Sequence, residues 1–223
     1  MSVFCVTHEC QSKVVGVSDL RESKRQAAVD HLVRAATRAL VDRGFDATVD
    51  DVAQLAGVSR RTVFRYFATR DDLLATAILA GVPAFDANLP KYDHDHDTDW
   101  RSWVSALCGI IHGMNGDFGR MLWDLMTRHD RSERLSAAAE EIDRYRRKRN
   151  DNVAVTLWHA LGCTGRPAAG MLHTVNAHLS PYFTIAVVRD ANGDEALAAE
   201  LAEAAIVDAA ERFRAQHVAH GRT

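Results

Sequence analysis

Proline is scarce in this sequence, with 4 among 223 residues, and aromatic side chains make up only 7%. Few helix breakers, and abundant alanine beyond residue 27, argue for an all-α protein. Cysteine is sparse as well. The four, at positions 5, 10, 108 and 163, are too few and too scattered for a secreted disulfide scaffold and fit a reducing cytosol. The chain does not open on a charged start followed by an apolar run, as a secretory signal would. No apolar stretch approaches the roughly 20 residues that span a bilayer. A soluble cytoplasmic protein with no membrane partner is the expectation. Positive charge is not in excess either: the formal net charge is -3, which excludes a uniformly basic nucleic-acid coat. Any DNA affinity must come from a local patch. Catalytic fingerprints are missing too, with no GxSxG, HExxH, P-loop or GxGxxG pattern. Scattered His and Asp residues are then the whole case for an enzyme, and none is expected.

What is present is helical period. Residues 1–21 read as a loose tail with room for a short helix near its end. From Ser23 onward Ala28, Val29, Leu32, Val33, Ala36, Ala39 and Leu40 recur at spacings of three and four, the stripe of one amphipathic helix. Gly44 suits its left-handed end. Thr48, with Asp51 three residues on, forms a capping-box pair that opens a short second helix. Gly57 supplies the positive φ of a tight turn. Ser59 caps a third helix over residues 60–67, and Thr69 caps a fourth, with Asp71 and Asp72 in its first turn. Gly81 and Pro83 are expected to stop or interrupt that helix. Residues 86–98 read as a loop. Further helices are expected near 99–113, 116–128, 132–161, 167–188 and 194–217, about nine in all, punctuated by Gly113, Gly116, Gly162, Gly165, Pro167 and Gly193.

Residues 48–67, TVDDVAQLAGVSRRTVFRYF, meet the demands of a helix-turn-helix. A short first helix crosses the DNA backbone, and a tight turn redirects the chain into a second helix that enters the major groove. Val63 and Phe67 form its buried side, while Arg60, Arg61, Thr62, Arg65 and Tyr66 lie outward or at the rim. Between Val58 and Arg70 stand four arginines and no acidic residue. Such a patch neutralises phosphates, and arginine can read guanine in a bidentate manner.

The stretch GFDATVDDVAQLAGVSRRTVFRYFATRDDLL resembles the DNA-binding domain of TetR-family regulators over about residues 22–82. The resemblance rests on GF before the capped Thr, AxxAGVS at the turn, the aromatic pair of the recognition helix, and a basic residue followed by acidic residues and LL. ATR at 68–70 replaces the more usual Pro-Ser-Lys. The resemblance implies an all-helical chain with an N-terminal three-helix DNA-binding domain. Residues 83–223 would form a ligand-binding and dimerisation domain. It implies a homodimer through the last two helices, a double-stranded operator as partner, a small-molecule effector and no cofactor. Repression is the family default. Carried over by position, the DNA-binding residues are Thr48, Ser59, Arg60, Arg61, Thr62, Phe64, Arg65, Tyr66 and Arg70, with Arg70 standing where a phosphate-binding lysine is usual.

Elsewhere the readings are plainer. Trp103, Met114, Phe118, Met121, Trp158, His178 and Tyr182 are candidate walls of an apolar effector pocket. The acidic and histidine-rich run 93–99 alternates carboxylates and imidazoles, yet reads as a solvated loop, and no metal site is expected. Cys5, His8 and Cys10 form an equally weak metal pattern. Cys108 and Cys163 read as small core residues. The basic run Arg144–Arg149, flanked by acidic partners at helical spacing, reads as a solvated face. Ala198, Ala202, Ala205 and Ala209 offer a small face for close packing at the dimer interface.

Overall fold

The computed structural model describes residues 17–93 and 99–220, and among them every regular element is helical. The elements are α1 Val17–Arg43, a 3-10 turn Gly44–Asp46, α2 Val49–Leu55, α3 Arg60–Tyr66, α4 Arg70–Ala87, α5 Trp100–Thr127, α6 Glu133–Ala160, α7 Ala169–His178, α8 Pro181–Ile185, a π-helical turn Ala186–Asp190, and α9 Glu195–His220.

Local chemistry sets the first boundaries. Gly44 takes φ +58° and turns the end of α1, dropping Phe45 into the core, where it is 4% exposed. Thr48 and Asp51 exchange the two hydrogen bonds of a capping box, satisfying orphan N–H groups of the first turn. At the far end of α2, Gly57 N–H donates to Gln54 O and Val58 N–H to Ala53 O. This is the paired closure that a left-handed residue permits, and Gly57 sits at φ +64°. His31 on α1 donates from Nε2 to Ala56 O at 2.9 Å, occupying one of α2's terminal carbonyls. Nothing lies within 4 Å of a Cβ built on Gly57, so Gly57→Ala is opposed by the backbone conformation alone. The expected cost is about 1–2 kcal/mol, read as a fall of roughly 2–8 °C in Tm for a chain of this size.

Two buried clusters hold the molecule together. The first gathers α1 to α4 around Leu32, Leu40, Val52, Val63 and Leu74, and continues into Leu125 of α5 and Leu135 and Ile142 of α6. Packing therefore does not stop at residue 82. The second gathers Leu107, Ile111, Leu157, Trp158, Met171 and Ile206, joining α5, α6, α7 and α9. Arg131 donates to the carbonyls of Leu125 and Met126 at 2.7 and 3.1 Å, closing the end of α5 with the charge its dipole favours.

Several sequence-based boundaries move. Helix α1 begins at Val17, inside the expected tail. Helix α4 runs through Gly81 and Pro83 to Ala87. Pro83 is exposed, so the carbonyl that it leaves without a donor can reach water. The expected helices 99–113 and 116–128 are one, α5. A Cβ at Gly116 would lie 2.5 Å from Glu195 Oε1, so this glycine admits the start of α9 rather than breaking the helix. Conversely 167–188 divides at Leu179, because Ser180 caps a new start with Pro181 in its first turn.

Candidate nucleic-acid interface

Helix α3 is built as a wedge. Val63 and Phe67 are 1% and 7% exposed, as their spacing predicts, and fix its inner side against α1, α2 and α4. The outer side carries Arg60, Arg61, Phe64 and Arg65, all exposed, with Thr62 and Tyr66 at the rim. Phe64 is 42% exposed, which settles its orientation toward solvent.

The hydrogen bonds sort these residues by what they have left to offer. Ser59 Oγ accepts from Thr62 N–H at 3.2 Å and bonds Thr62 Oγ1 at 2.9 Å, so both hydroxyls serve the start of α3. Thr48 donates its hydroxyl to Asp51 Oδ2 at 2.7 Å. Those bonds from the Thr48 backbone and hydroxyl, with Arg43 nearby, hold the Asp51 carboxyl below its usual range. Arg60 pairs with Asp50 at 2.8 Å, with both side chains more than half exposed. A pair so open to water contributes about 0–1 kcal/mol and yields readily to a phosphate. Arg65 donates to Tyr66 Oη at 3.1 Å and lies over its ring. Arg61 makes no hydrogen bond, ion pair or ring contact among the described residues.

Arg70 is turned inward. Its Nε donates to Ala47 O at 2.8 Å, Nη2 to Phe45 O, and Nη1 to Asp71 Oδ1 at 3.0 Å. Three internal acceptors occupy the side chain expected to hold a phosphate, and it clamps the approach to α2 onto the start of α4.

Residues 32–77 match the family described as bacterial regulatory proteins, tetR family. That match spans the helix-turn-helix, from Leu32 in α1 to Ala77 in α4. The fold of solved TetR regulators extends over most of the chain. A TetR transcription regulator from Haloarcula marismortui is 22% identical, with 84% of this chain and 98% of that chain covered at TM-score 0.60. A tetR-family regulator from Streptomyces coelicolor is 16% identical, with 89% of each chain covered at TM-score 0.59. The regulator FadR of Bacillus subtilis, solved with stearoyl-CoA, is 14% identical, with 80% of this chain and 97% of that chain covered at TM-score 0.54. TetR-family proteins are transcription factors rather than enzymes.

Beyond the helix-turn-helix lies a cavity of about 350 Å³ between α4, α5, α6 and α8. Of the expected pocket residues, Met114, Met121 and Tyr182 line it. Trp103, Trp158 and His178 do not. Each spends its polar atom on a backbone carbonyl: Trp103 on Pro90, Trp158 on Thr164, His178 on Thr174. They pack elsewhere, and both tryptophans belong to the second core cluster. Phe118 lies outside the described side chains. The cavity's charged end was missed. Arg146 and Arg149 line it beside Tyr145 and Asp86, correcting the reading of 144–149 as a wholly solvated face. The available signal was Ile142, Tyr145, Arg146 and Arg149 at i, i+3, i+4 and i+7, one helical stripe.

Cys108 is fully buried, and burial, reinforced by the charge of Glu203, pushes its thiol up to about 12. A core role follows, since the thiolate is the reactive form. Cys5, His8, Cys10 and residues 94–98 of the acidic loop lie outside the described residues. Among the described residues no cluster of metal-capable side chains occurs, and no helix is long and apolar enough to cross a membrane.

Proposed function

We propose that this chain is a ligand-responsive repressor that binds a partly palindromic operator as a homodimer, with α3 in the major groove. The observation that carries the DNA contact is Arg61, an exposed guanidinium without an internal partner on a helix that has no acidic residue. Arg61 reads a base edge. Arg60, Arg65 and Tyr66 meet phosphates, and Phe64 lies against the groove wall. Thr48, Ser59 and Thr62 stand at the helix starts that approach the backbone, contributing chiefly by holding those starts in place, and Arg70 contributes by bracing residues 45–47. Two such helices on a two-fold dimer would sit roughly 34–36 Å apart, meeting successive major grooves.

The dimer face requires revision from the alanine pattern. Ala198, Ala202 and Ala209 are 0%, 0% and 1% exposed within the single chain, spent inside it. The outer side of α9 instead shows Leu197 and Leu201, 38% and 45% exposed, followed by exposed Ala204. These three at helical spacing supply the apolar contact of the proposed interface, together with the outer side of α7. The cavity supports the effector reading: it is enclosed by α4, whose first turn holds the DNA-binding helices through Arg70.

Selection of genomic fragments with the purified protein tests this directly. The expected result is a pseudo-palindromic duplex bound by two chains, with affinity falling steeply as salt rises. Recovery of no duplex, or of duplexes bound without salt dependence, would sink the reading.

A further inference from the structure

The charged end of the cavity points to its ligand. Helix α6 presents Tyr145, Arg146 and Arg149 to it, and α4 presents Asp86. Arg146 is neutralised by Asp143 at 2.6 Å. Arg149 is not. Its Nε and Nη2 donate to Asn150 Oδ1 at 3.1 and 3.0 Å, and its guanidinium lies 4.9 Å from the Phe85 ring centre. No carboxylate stands within ion-pair distance of it among the described residues. Asp143 is shared between Arg146 and the exposed Arg147, and the carboxylate that lines the cavity, Asp86, is held by Tyr145 and, among the described residues, by no arginine. Desolvation is the chief influence on Arg149 and brings it down to about 10, as befits a buried cation short of counter-charge. Away from that end the wall is apolar and pliant, with Ile78, Val82, Met121, Leu122 and Met126.

Resting on the effector reading above, we infer that the cavity takes an amphipathic organic anion, its apolar body among the methionines and its carboxylate on Arg149. The same geometry supplies a route to the DNA. Tyr145 donates its hydroxyl to Asp86 Oδ2 at 2.6 Å, tying the end of α4 to α6, while Asp86 Oδ1 is buried with no donor. A ligand carboxylate on Arg149 places a second negative charge near Asp86, and like charges in one site disfavour each other. The Asp86–Tyr145 tie is the contact that yields, and the end of α4 moves away from α6. The other end of α4 is fastened by Arg70 to the carbonyls of Phe45 and Ala47, so displacement reaches the helices that hold α3. Only the difference in ligand affinity between the two arrangements can drive this shift.

Three probes of one chain length decide it: decanoate, 1-decanol and decylammonium, titrated by calorimetry and by the fluorescence of Trp123, whose ring packs on cavity-lining Tyr182. Decanoate should bind at least tenfold tighter than decanol, and decylammonium weakest. Arg149→Gln should erase the preference for decanoate over decanol, while Arg149→Lys, with near-UV circular dichroism confirming the fold, should keep part of it. Saturating decanoate should also weaken operator attachment, and Tyr145→Phe should weaken it without ligand. Equal binding of decanoate and decanol, tighter binding of decylammonium, or no binding of any probe would overturn the anion site. Decanoate bound through Arg149 with operator affinity unmoved would support the site and overturn the effector reading beneath it.

Discussion

Replacing Arg60, Arg61 and Arg65 together with alanine is expected to weaken duplex binding at least about a hundredfold near 0.1 M salt, and to lower the salt slope by about four for a dimer. Each phosphate contact contributes about 0.9 to that slope, and the dimer loses the Arg60 and Arg65 contacts from each chain. All three side chains are exposed, and the wedge made by Val63 and Phe67 is untouched, so the variant should fold. Their present partners are weak competitors. The Arg60–Asp50 pair is open to water, and Arg65 rests only on its neighbour Tyr66. Arg61 has nothing to release. The single variant Arg61→Ala separates base reading from phosphate binding. Loss of about 1–3 kcal/mol on the operator with relaxed preference at one base pair marks a base contact. Equal loss on operator and random duplex would make Arg61 a phosphate ligand. Fluorescence anisotropy across a salt series measures both quantities, and a triple variant that kept the parent slope would remove α3 from the groove.

The DNA-binding helices were legible in the sequence because their boundaries are set by chemistry within four residues. Thr48 with Asp51, Gly57 with Val58, Ser59 with Thr62, and Thr69 with Asp72 each close a helix end through neighbouring residues, and distant chain adds His31 on Ala56 O and Arg43 beside Asp51. Arg70 marks where this legibility ends. Its charge was visible, but its orientation depends on carbonyls at positions 45 and 47, which no local pattern reveals.

In the body, tertiary packing overrode the punctuation. Gly116 looks like a break in the sequence, yet its missing side chain leaves room for Glu195. Gly170 is similar: a Cβ there would meet Phe213 Cζ at 2.2 Å, so α7 and α9 approach through it. The alternating charges of 140–151 look solvated on any helical wheel. Arg146 and Arg149 turn inward because α4 and α5 close over that face, and only the stripe from Ile142 to Arg149 hinted at it. The Ser180-Pro181 pair, by contrast, is a readable N-terminal signal inside the span 167–188, whose helical period alone suggests one continuous helix.

The largest stability effect should come from Trp158, a residue that size alone had placed in the pocket. It is 1% exposed, its indole N–H donates to Thr164 O at 3.2 Å, and its ring meets His217 of α9 edge-on with centroids 5.0 Å apart. It anchors α6 to α9 just before the helix closes, where Cys163 N–H returns to Trp158 O and Gly162 N–H to His159 O. Gly162 takes φ +74° to allow this. Truncation leaves a cavity among residues already committed to one another, so Trp158→Ala should cost about 3–5 kcal/mol, a fall of roughly 6–20 °C in Tm. Trp158→Phe keeps a ring in place and forfeits the hydrogen bond to an exposed carbonyl that water can serve, so its loss should be clearly smaller. Denaturant melts of the two variants give the comparison. Trp158 and Arg149 lie two and a half turns apart on α6 and sit in different surroundings, one in the second core cluster and one at the cavity. Trp158→Phe should therefore leave the affinity for decanoate unchanged, and a matching loss of that affinity would show that the core and the cavity are one mechanical unit.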